Sequence, residues 1–311
     1  MAKRIIPNVT DSVARRTGPG LCSLIALPDG RSLDVWQAGP RDGEPLVFHH
    51  GTPGAGLPFD QHVAALAERG LRYVGWSRPG YGSSTRRPGR SVADDADDAV
   101  AVLDHLGIES AWVLGWSGGG PHALGLAAQQ PVRVRGVALI GSVAPWGAEG
   151  LDFLAGMGAE NVEEFSAAVE GEAAIRPFVE RAWAEYREIR PEQVAAGFGD
   201  LVDDVDRGSI SGGLATWLSE LFHESLREGF LGWLDEDLLF TRAWGFDLAS
   251  IRRPVHVWQG AHDRMVPYAH GQWLAAHVPT ARPHLFEEHG HLTLLVDSFP
   301  RILDELVEAG E

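Results

Sequence analysis

Ser117 stands at the centre of a Gly-x-Ser-x-Gly pattern, which surrounds a hydroxyl nucleophile with small residues. A short apolar run, 111–114, precedes the pattern, and a run of small and apolar residues, 123–130, follows it. This order predicts a strand, a sharp turn and a helix, with the serine at the turn. At such a turn the residues two before and two after the serine nearly touch, which explains Gly115 and Gly119. We therefore interpret Ser117 as a candidate nucleophile.

The elements that must position this serine are short apolar runs that alternate with amphipathic segments. Strands are expected at 21–27, 31–38, 46–49, 71–76, 111–114, 132–142, 255–259 and 282–287. Helices are expected at 59–69, 91–106, 123–130, 268–277 and 292–309. This alternation predicts an α/β fold with a doubly wound, mostly parallel sheet and right-handed crossovers. In such sheets ligands bind at the carboxyl ends of the strands, where Ser117 is expected.

The segment 146–250 has a different character from the rest of the chain. It contains 22 acidic residues against seven arginines, so it carries nearly all of the chain's net charge of -17. It also holds five of the eleven tryptophans and shows no strand-like alternation. We expect a separate helical module, inserted between two strands of the sheet. Its acidic runs, at 203–206 and 235–237, are expected to be solvated helix faces.

Three further motifs follow predicted strands and give the chain a family resemblance. They are His50-Gly51-Thr52-Pro53-Gly54, the run from Arg78 to Ser84, and Asp263 together with Gly290-His291. Together with the serine turn, they make the chain resemble the α/β-hydrolase fold family, over about 21–145 and 251–311. The order of serine, acid and histidine along the chain is also that of the family. The resemblance implies a hydrolase core at 1–145 and 251–311 and a helical cap, or lid, at 146–250.

The resemblance implies that Ser117 attacks an acyl carbonyl and that His291 is its general base. His289, two residues earlier, competes for the role of base. The family carries its base directly after a glycine, which favours His291.

The resemblance assigns the acid of the triad to Asp263, which would orient the imidazole. Glu149 and Asp152 are the alternatives, because some relatives place the acid after the strand that is expected to end at 142. The oxyanion would be stabilised by the backbone N–H groups of Thr52 and Gly118, since Pro53 has no N–H.

Contacts to the substrate are harder to assign from the sequence. The candidates are Trp116, His50, Trp146 and Trp217, although His50 is also interpreted as a residue that holds its loop. Most aromatic side chains of 146–250 are expected to pack the cap onto the core.

The resulting prediction is a serine hydrolase of the α/β-hydrolase fold, acting on a carboxylic ester of a small or medium apolar molecule. An aminopeptidase or amidase of the prolyl-iminopeptidase kind is an alternative, because an acidic cap could bind a substrate ammonium group. Gly118 weighs against it, since those enzymes carry tryptophan after the elbow serine. A non-hydrolytic lyase or a ligand-binding pseudoenzyme of the same fold is a third possibility. Dehalogenase-like and epoxide-hydrolase-like activities are set aside, because they need aspartate at the elbow.

No cofactor, nucleotide or metal is expected. The histidine pairs at 49–50 and 289–291 have no partners at metal-ligand spacing, and Cys22 is the only cysteine. The negative charge argues against nucleic acid and anionic membranes as partners, which leaves a small-molecule substrate. The first 20 residues lack the apolar stretch of a secretory signal, and a cytoplasmic protein is expected. The oligomeric state is left open.

Overall fold

A single sheet organises the computed structural model, which describes residues 15–17 and 20–308. Within these residues it has nine strands: β1 (Arg15–Thr17), β2 (Gly20–Ala26), β3 (Ser32–Ala38), β4 (Glu44–His49), β5 (Leu71–Trp76), β6 (Ala111–Trp116), β7 (Val134–Ile140), β8 (Val255–Gly260) and β9 (Ala281–Phe286). Their order is β1-β2-β3-β5-β4-β6-β7-β8-β9. Along this order, neighbouring strands pair antiparallel from β1 to β5. From β5 through β4 to β9, neighbouring strands pair parallel. The predicted doubly wound, mostly parallel sheet is confirmed. Most of the first 20 residues, including the segment tested for a secretory signal, lie outside the described residues.

Both faces of the sheet are buried. Along β4, Leu46 and Phe48 belong to one hydrophobic cluster, and Val47 between them belongs to a second. The two-residue period of a strand sends alternate side chains to opposite faces, so both faces must be covered by helices.

Twelve α-helices surround the sheet within the described residues. Six of them flank it directly: α1 (Asp60–Glu68), α2 (Asp95–His105), α3 (Gly119–Gln129), α10 (Tyr268–His277), α11 (His291–Asp297) and α12 (Phe299–Glu308). The single helix expected at 292–309 is two helices. Pro300 lacks an N–H and cannot continue the ladder of α11, but it fits the first turn of α12.

The remaining six helices lie between β7 and β8. They are α4 (Ala159–Glu170), α5 (Glu172–Tyr186), α6 (Val194–Gly197), α7 (Asp204–Ser209), α8 (Gly212–Ser225) and α9 (Leu231–Phe240). Residues 141–254, all of which the structure describes, contribute no strand to the sheet. We refer to 146–250 as the insertion. Its helix α5 packs on α4, α8 and α9, and α4 also packs on α9.

Among the described residues, no helix combines the length and the apolar character needed to cross a bilayer.

Candidate active site

Ser117 lies between the end of β6 and the first turn of α3 in an unusual backbone conformation. Its φ is +56°, and among the described residues other than glycine it alone has a positive φ. The left-handed region is unfavourable for a residue with a Cβ, so the surrounding structure must hold it there. One such restraint is the hydrogen bond that its N–H donates to the carbonyl oxygen of Ile140, at 2.8 Å.

Glycines make this turn possible. A Cβ atom at Gly115 would lie 2.6 Å from the carbonyl oxygen of Gly119, and one at Gly119 would lie 2.7 Å from the carbonyl oxygen of His50. Both distances are too short for non-bonded atoms. The first confirms that the residues two before and two after the serine nearly touch, whereas the second shows that Gly119 must be glycine because the backbone at the end of β4 approaches it. Gly141 has a similar role that the sequence did not reveal. Its φ is +53°, and a Cβ atom there would lie 2.7 Å from Nδ1 of His291.

His291 and Asp263 form a buried pair. Nδ1 of His291 donates to Oδ2 of Asp263 at 2.7 Å, and neither side chain is exposed. The carboxylate is itself held, because its Oδ1 accepts the N–H groups of Met265 and Val266. Burial lowers the pKa of His291, but the charge and hydrogen bond of Asp263 outweigh it, and the pKa is raised above its usual value. The pair can therefore orient an imidazole and stabilise it after it accepts a proton.

The residues that compete for these two roles lie elsewhere. His289 is partly exposed and packs its ring against the edge of Phe286, with centroids 5.5 Å apart. Glu149 and Asp152 are both exposed at the start of the insertion. The buried carboxylate that contacts the imidazole ring of His291 belongs to Asp263.

A second carboxylate, which the sequence analysis missed, supports His291 from the insertion. Asp206 on α7 is fully buried, and it accepts the backbone N–H groups of His291, Leu292 and Thr293 at 2.6, 3.0 and 2.9 Å. It therefore caps the first turn of α11. Gly290 allows this approach, since a Cβ atom there would lie 2.5 Å from the carboxylate. The glycine before His291 was the available signal, because it marks a place where another chain segment comes close.

Thr52 and Gly118 face each other across the turn. A Cβ atom added at Gly118 would collide with the side chain of Thr52. The Thr52 hydroxyl donates to Oε2 of Glu236 at 3.2 Å and accepts from Nη2 of Arg78 at 3.1 Å. These contacts fix the loop that carries the Thr52 N–H.

One pocket brings the candidate residues together. It has a volume of about 100 Å³, and its core side is formed by Thr52, Trp116, Ser117, Gly118 and His291. The insertion forms the other side with α4 (Glu160 and Glu164), α5 (Tyr186), α8 (Leu218, Leu221 and Phe222) and α9 (Trp233, Asp237 and Phe240). Asp263 lies behind His291 and does not line the pocket.

Three of the four residues expected to contact substrate do not line this pocket. Both ring nitrogens of His50 are engaged, with the carbonyl of Gly51 and the N–H of Arg78, so His50 holds its loop. Trp217 donates to the carbonyl of Leu57, and Trp146 packs on Phe153. Trp116, the fourth candidate, is at the pocket wall. The correction follows from tertiary packing, which the sequence could not supply.

Apart from the exposed Asp204 and the half-buried Asp203, the acidic runs are not the solvated faces that the sequence predicted. Asp206 and Glu236 are 0% exposed, and Asp237 is 1% exposed. Glu236 lies within a network of Arg78, Arg90 and His122. Buried acids need partners, and the chain provides them across sequence separations that a local pattern does not reveal.

Within the part of the chain that the structure describes, two groups of side chains have the residue types and closeness of metal ligands, which the sequence spacing did not show. They are Asp95 with His122 and Glu236, and His256 with His284 and Glu305. In the first group, Arg90 contacts both carboxylates and His122 lies between them, so the group is an ion-pair network. In the second, the imidazoles stack and their nitrogens lie 3.0 Å apart.

Comparisons with known proteins agree with this architecture. A family model described as alpha/beta hydrolase fold matches residues 44–298. A non-heme chloroperoxidase from Streptomyces lividans is 30% identical over 249 residues, which cover 79% of this chain and 83% of the relative. A pimeloyl-[acyl-carrier protein] methyl ester esterase from Aromatoleum aromaticum is 30% identical over 276 residues, covering 85% and 96% of the two chains.

Solved structures show the same fold at lower identity. An esterase from Exiguobacterium antarcticum is 22% identical with a TM-score of 0.66, covering 92% of this chain and 98% of its own. A meta-cleavage product hydrolase from Pseudomonas fluorescens is 20% identical with a TM-score of 0.66, covering 93% and 98%.

Proposed function

The chain belongs to the α/β-hydrolase fold family, and we propose that it is a serine hydrolase that acts on carboxylic esters of small molecules. Hydrolase activity follows from the family and its relatives. The serine mechanism and the ester substrate are our own proposal. Its support is the arrangement of Ser117, His291 and Asp263.

One observation carries the proposal. Nε2 of His291 is buried and has no hydrogen-bond partner among the described residues, while Nδ1 is held by Asp263. Ser117 and His291 line the same pocket. An imidazole with one nitrogen anchored and the other unpaired, in the same pocket as a strained serine, is suited to accept the serine proton.

The proposed reaction has two stages. Oγ of Ser117 attacks the ester carbonyl carbon as His291 takes the hydroxyl proton, and the tetrahedral intermediate expels the alcohol, which receives that proton. Water then attacks the acyl-enzyme by the same route and releases the acid and Ser117. Asp263 keeps the imidazole oriented and stabilises its protonated form in both stages.

The negative oxygen of each intermediate would be stabilised by backbone N–H groups of Thr52 and Gly118. Loss of one such donor typically costs about 2.7–4 kcal/mol of transition-state stabilisation. The contacts of Arg78 and Glu236 to the Thr52 hydroxyl support this role, because they fix the loop without using its N–H.

The insertion would act as the cap that selects the substrate. Its helices supply most of the aromatic and aliphatic wall of the pocket, and the cavity of about 100 Å³ suits a small acyl group. Relatives that are named as esterases support the choice of ester.

The test is hydrolysis of 4-nitrophenyl esters from acetate to octanoate, together with labelling by a fluorophosphonate. We expect Ser117→Ala to lower kcat/KM by a factor on the order of 10⁴–10⁶ and to abolish labelling. His291→Ala should give a similar loss.

Two matched variants control for general damage. Ser211→Ala removes an exposed serine hydroxyl in the insertion, and His289→Ala removes the histidine beside His291. Both should retain activity near that of the unmodified protein. Ester hydrolysis that persists in Ser117→Ala would refute the proposal.

An amidase or aminopeptidase is the second candidate, and the carboxyl groups of the pocket favour it. Glu164 and Asp237 both line the cavity and could bind an amine. Proline naphthylamide offered beside the esters decides between the two reactions. Faster turnover of the amide would favour the second candidate.

A further inference from the structure

Carboxyl groups of the insertion line the same pocket as Ser117. Glu160 and Glu164 lie on α4, and Asp237 lies on α9. Glu164 is 8% exposed and Asp237 is 1% exposed. Acids that are buried in an apolar wall are rare unless they are paired with a cation or a donor, so their partners need to be identified.

Glu164 and Asp237 contact each other. Their carboxyl groups interact, and two carboxyl groups can form a hydrogen bond with each other only when one of them carries a proton. Nε1 of Trp233 donates to Oε1 of Glu164 at 2.6 Å and fixes its direction. Oδ2 of Asp237 is buried and receives no hydrogen bond from a donor group of the described residues.

The charge of this pair is not compensated by the protein. None of the described residues that line the pocket is arginine or lysine. Burial, followed by the charges of Glu164 and Glu236, raises the pKa of Asp237 well above its usual value. Burial likewise raises the pKa of Glu164 to about 7. A cation bound beside the pair would relieve this electrostatic cost.

The pair and the nucleophile line the same cavity, and α9 connects them. Phe240 is close to the serine turn, since a Cβ atom at Gly118 would lie 3.0 Å from its ring. Asp237 precedes Phe240 by three residues on α9, and both line the pocket. Residues three apart share a helix face and differ by about 4.5 Å along the axis. A substrate of a few bonds can therefore reach from Ser117 to the pair.

We propose that Glu164 and Asp237 form an ammonium-binding subsite, so that the substrate is a small acyl compound that carries a protonated amine. This inference rests on the proposed serine hydrolase function and adds the charge and the length of the substrate. A proton held by either carboxyl group is released to water when the ammonium group binds, and both carboxylates then face the cation.

The first experiment compares esters that differ only in charge. The probes are methyl esters of ω-amino acids with two to six carbons, each matched to the ester in which a methyl group replaces the ammonium. Hydrolysis is followed by alkali uptake at pH 8. We expect at least one ammonium ester to have a kcat/KM at least about tenfold above that of its uncharged match, equivalent to about 1.4 kcal/mol.

Substitutions of Glu164 and Asp237 test whether the pair causes the preference for ammonium esters. Asp237→Asn and Glu164→Gln should each lower the ratio for ammonium over uncharged ester at least about tenfold, with uncharged esters still hydrolysed. Asp235→Asn is the matched control. Asp235 lies two residues before Asp237 on α9, but it pairs with Arg86 and does not line the pocket. It should leave the ratio unchanged.

A binding measurement is independent of the reaction. Alkylammonium chlorides of two to six carbons are titrated calorimetrically into the Ser117→Ala variant and into the double variant that carries both Ser117→Ala and Asp237→Asn. We expect binding that Asp237→Asn weakens at least about tenfold. If Ser117-dependent hydrolysis shows no preference for ammonium esters, the ammonium subsite is refuted but the proposed function is not. If no Ser117-dependent hydrolysis is found, the proposed function is refuted, and the binding measurement still tests the subsite. The subsite is refuted if alkylammonium ions do not bind, or if Asp237→Asn does not weaken their binding.

Discussion

Glu236 and Asp237 are neighbours on α9, and both are buried, but their surroundings are opposite. Glu236 contacts the guanidinium groups of Arg78 and Arg90 and lies 3.3 Å from Nε2 of His122. Asp237 contacts another acid, Glu164, and one of its oxygens receives no donor among the described residues. The first acid belongs to the interior and the second to the wall of the pocket.

The difference separates two uses of buried charge. The partners of Glu236 come from the loop after β5, from the segment before α2 and from α3. This network ties the insertion to the core and also reaches the Thr52 loop. The pKa of Glu236 is well below its usual value, because the charges of Arg78, His122 and Arg90 outweigh burial. A compensated acid holds the scaffold, whereas an uncompensated acid in a pocket is available to a ligand.

The largest expected effect comes from removing the compensated charge. Glu236→Gln should lower the free energy of unfolding by about 3–5 kcal/mol, because it leaves two buried guanidinium groups without their shared carboxylate. Denaturation by guanidinium chloride at pH 8 measures the change.

Asp237→Asn is the matched substitution for this prediction, since it makes the same chemical change one residue further along the helix. If the two variants have equal unfolding free energies, the contrast between the acids has no energetic basis.

A smaller effect of opposite sign is expected for the uncompensated pair. The pKa of Glu164 rises from 4.5 to about 7 on folding, so the folded state keeps a proton that the unfolded state releases in this window. The stability that protonated Glu164 contributes to the folded state is therefore fully present below about pH 4.5 and is lost as the pH rises to about 7. Glu164→Gln should raise the free energy of unfolding at pH 8 by about 1–3 kcal/mol and have little effect at pH 4.5.

Guanidinium denaturation of the unmodified protein and Glu164→Gln at pH 4.5 and pH 8 provides the measurement. A variant that is less stable at pH 8 would show that the protein does compensate the charge of Glu164. The ammonium subsite would then lose its physical argument.

The sheet and the serine turn could be predicted because their signals are local. Strand periodicity, glycine at both sides of Ser117, and motifs at strand ends depend on residues that are close in the sequence. The helix boundaries were less accurate. The split at Ser298 depends on Pro300, which interrupts helical hydrogen bonding within an otherwise continuous apolar stripe.

The pocket wall could not be predicted, because it depends on contacts between distant residues. Asp206 reaches His291 across 85 positions, and Arg90 reaches Glu236 across 146. Along the sequence, the acids at 203–206 and 235–237 resemble any solvated run. Only the folded chain separates Glu236, which faces arginines, from Asp237, which faces the cavity.

Asp206 provides a third kind of buried acid and the smallest expected effect. Its partners are backbone N–H groups at the start of α11, and its charge helps to raise the pKa of His291. In the proposed mechanism only neutral His291 can accept the serine proton. The acid limb of the pH profile, where kcat/KM falls as the pH is lowered, should therefore lie above the usual histidine pKa of about 6.5.

Asp206→Asn removes the charge but keeps an oxygen acceptor, so it should move this limb to lower pH by about half to one unit. The position of the limb does not depend on the fraction of active enzyme, and it therefore reports on the charge rather than on partial unfolding. Asp204→Asn, an exposed site on the same helix, should leave the limb in place. An unmoved limb in Asp206→Asn would mean that Asp206 only caps the helix, and that the insertion influences the base through packing alone.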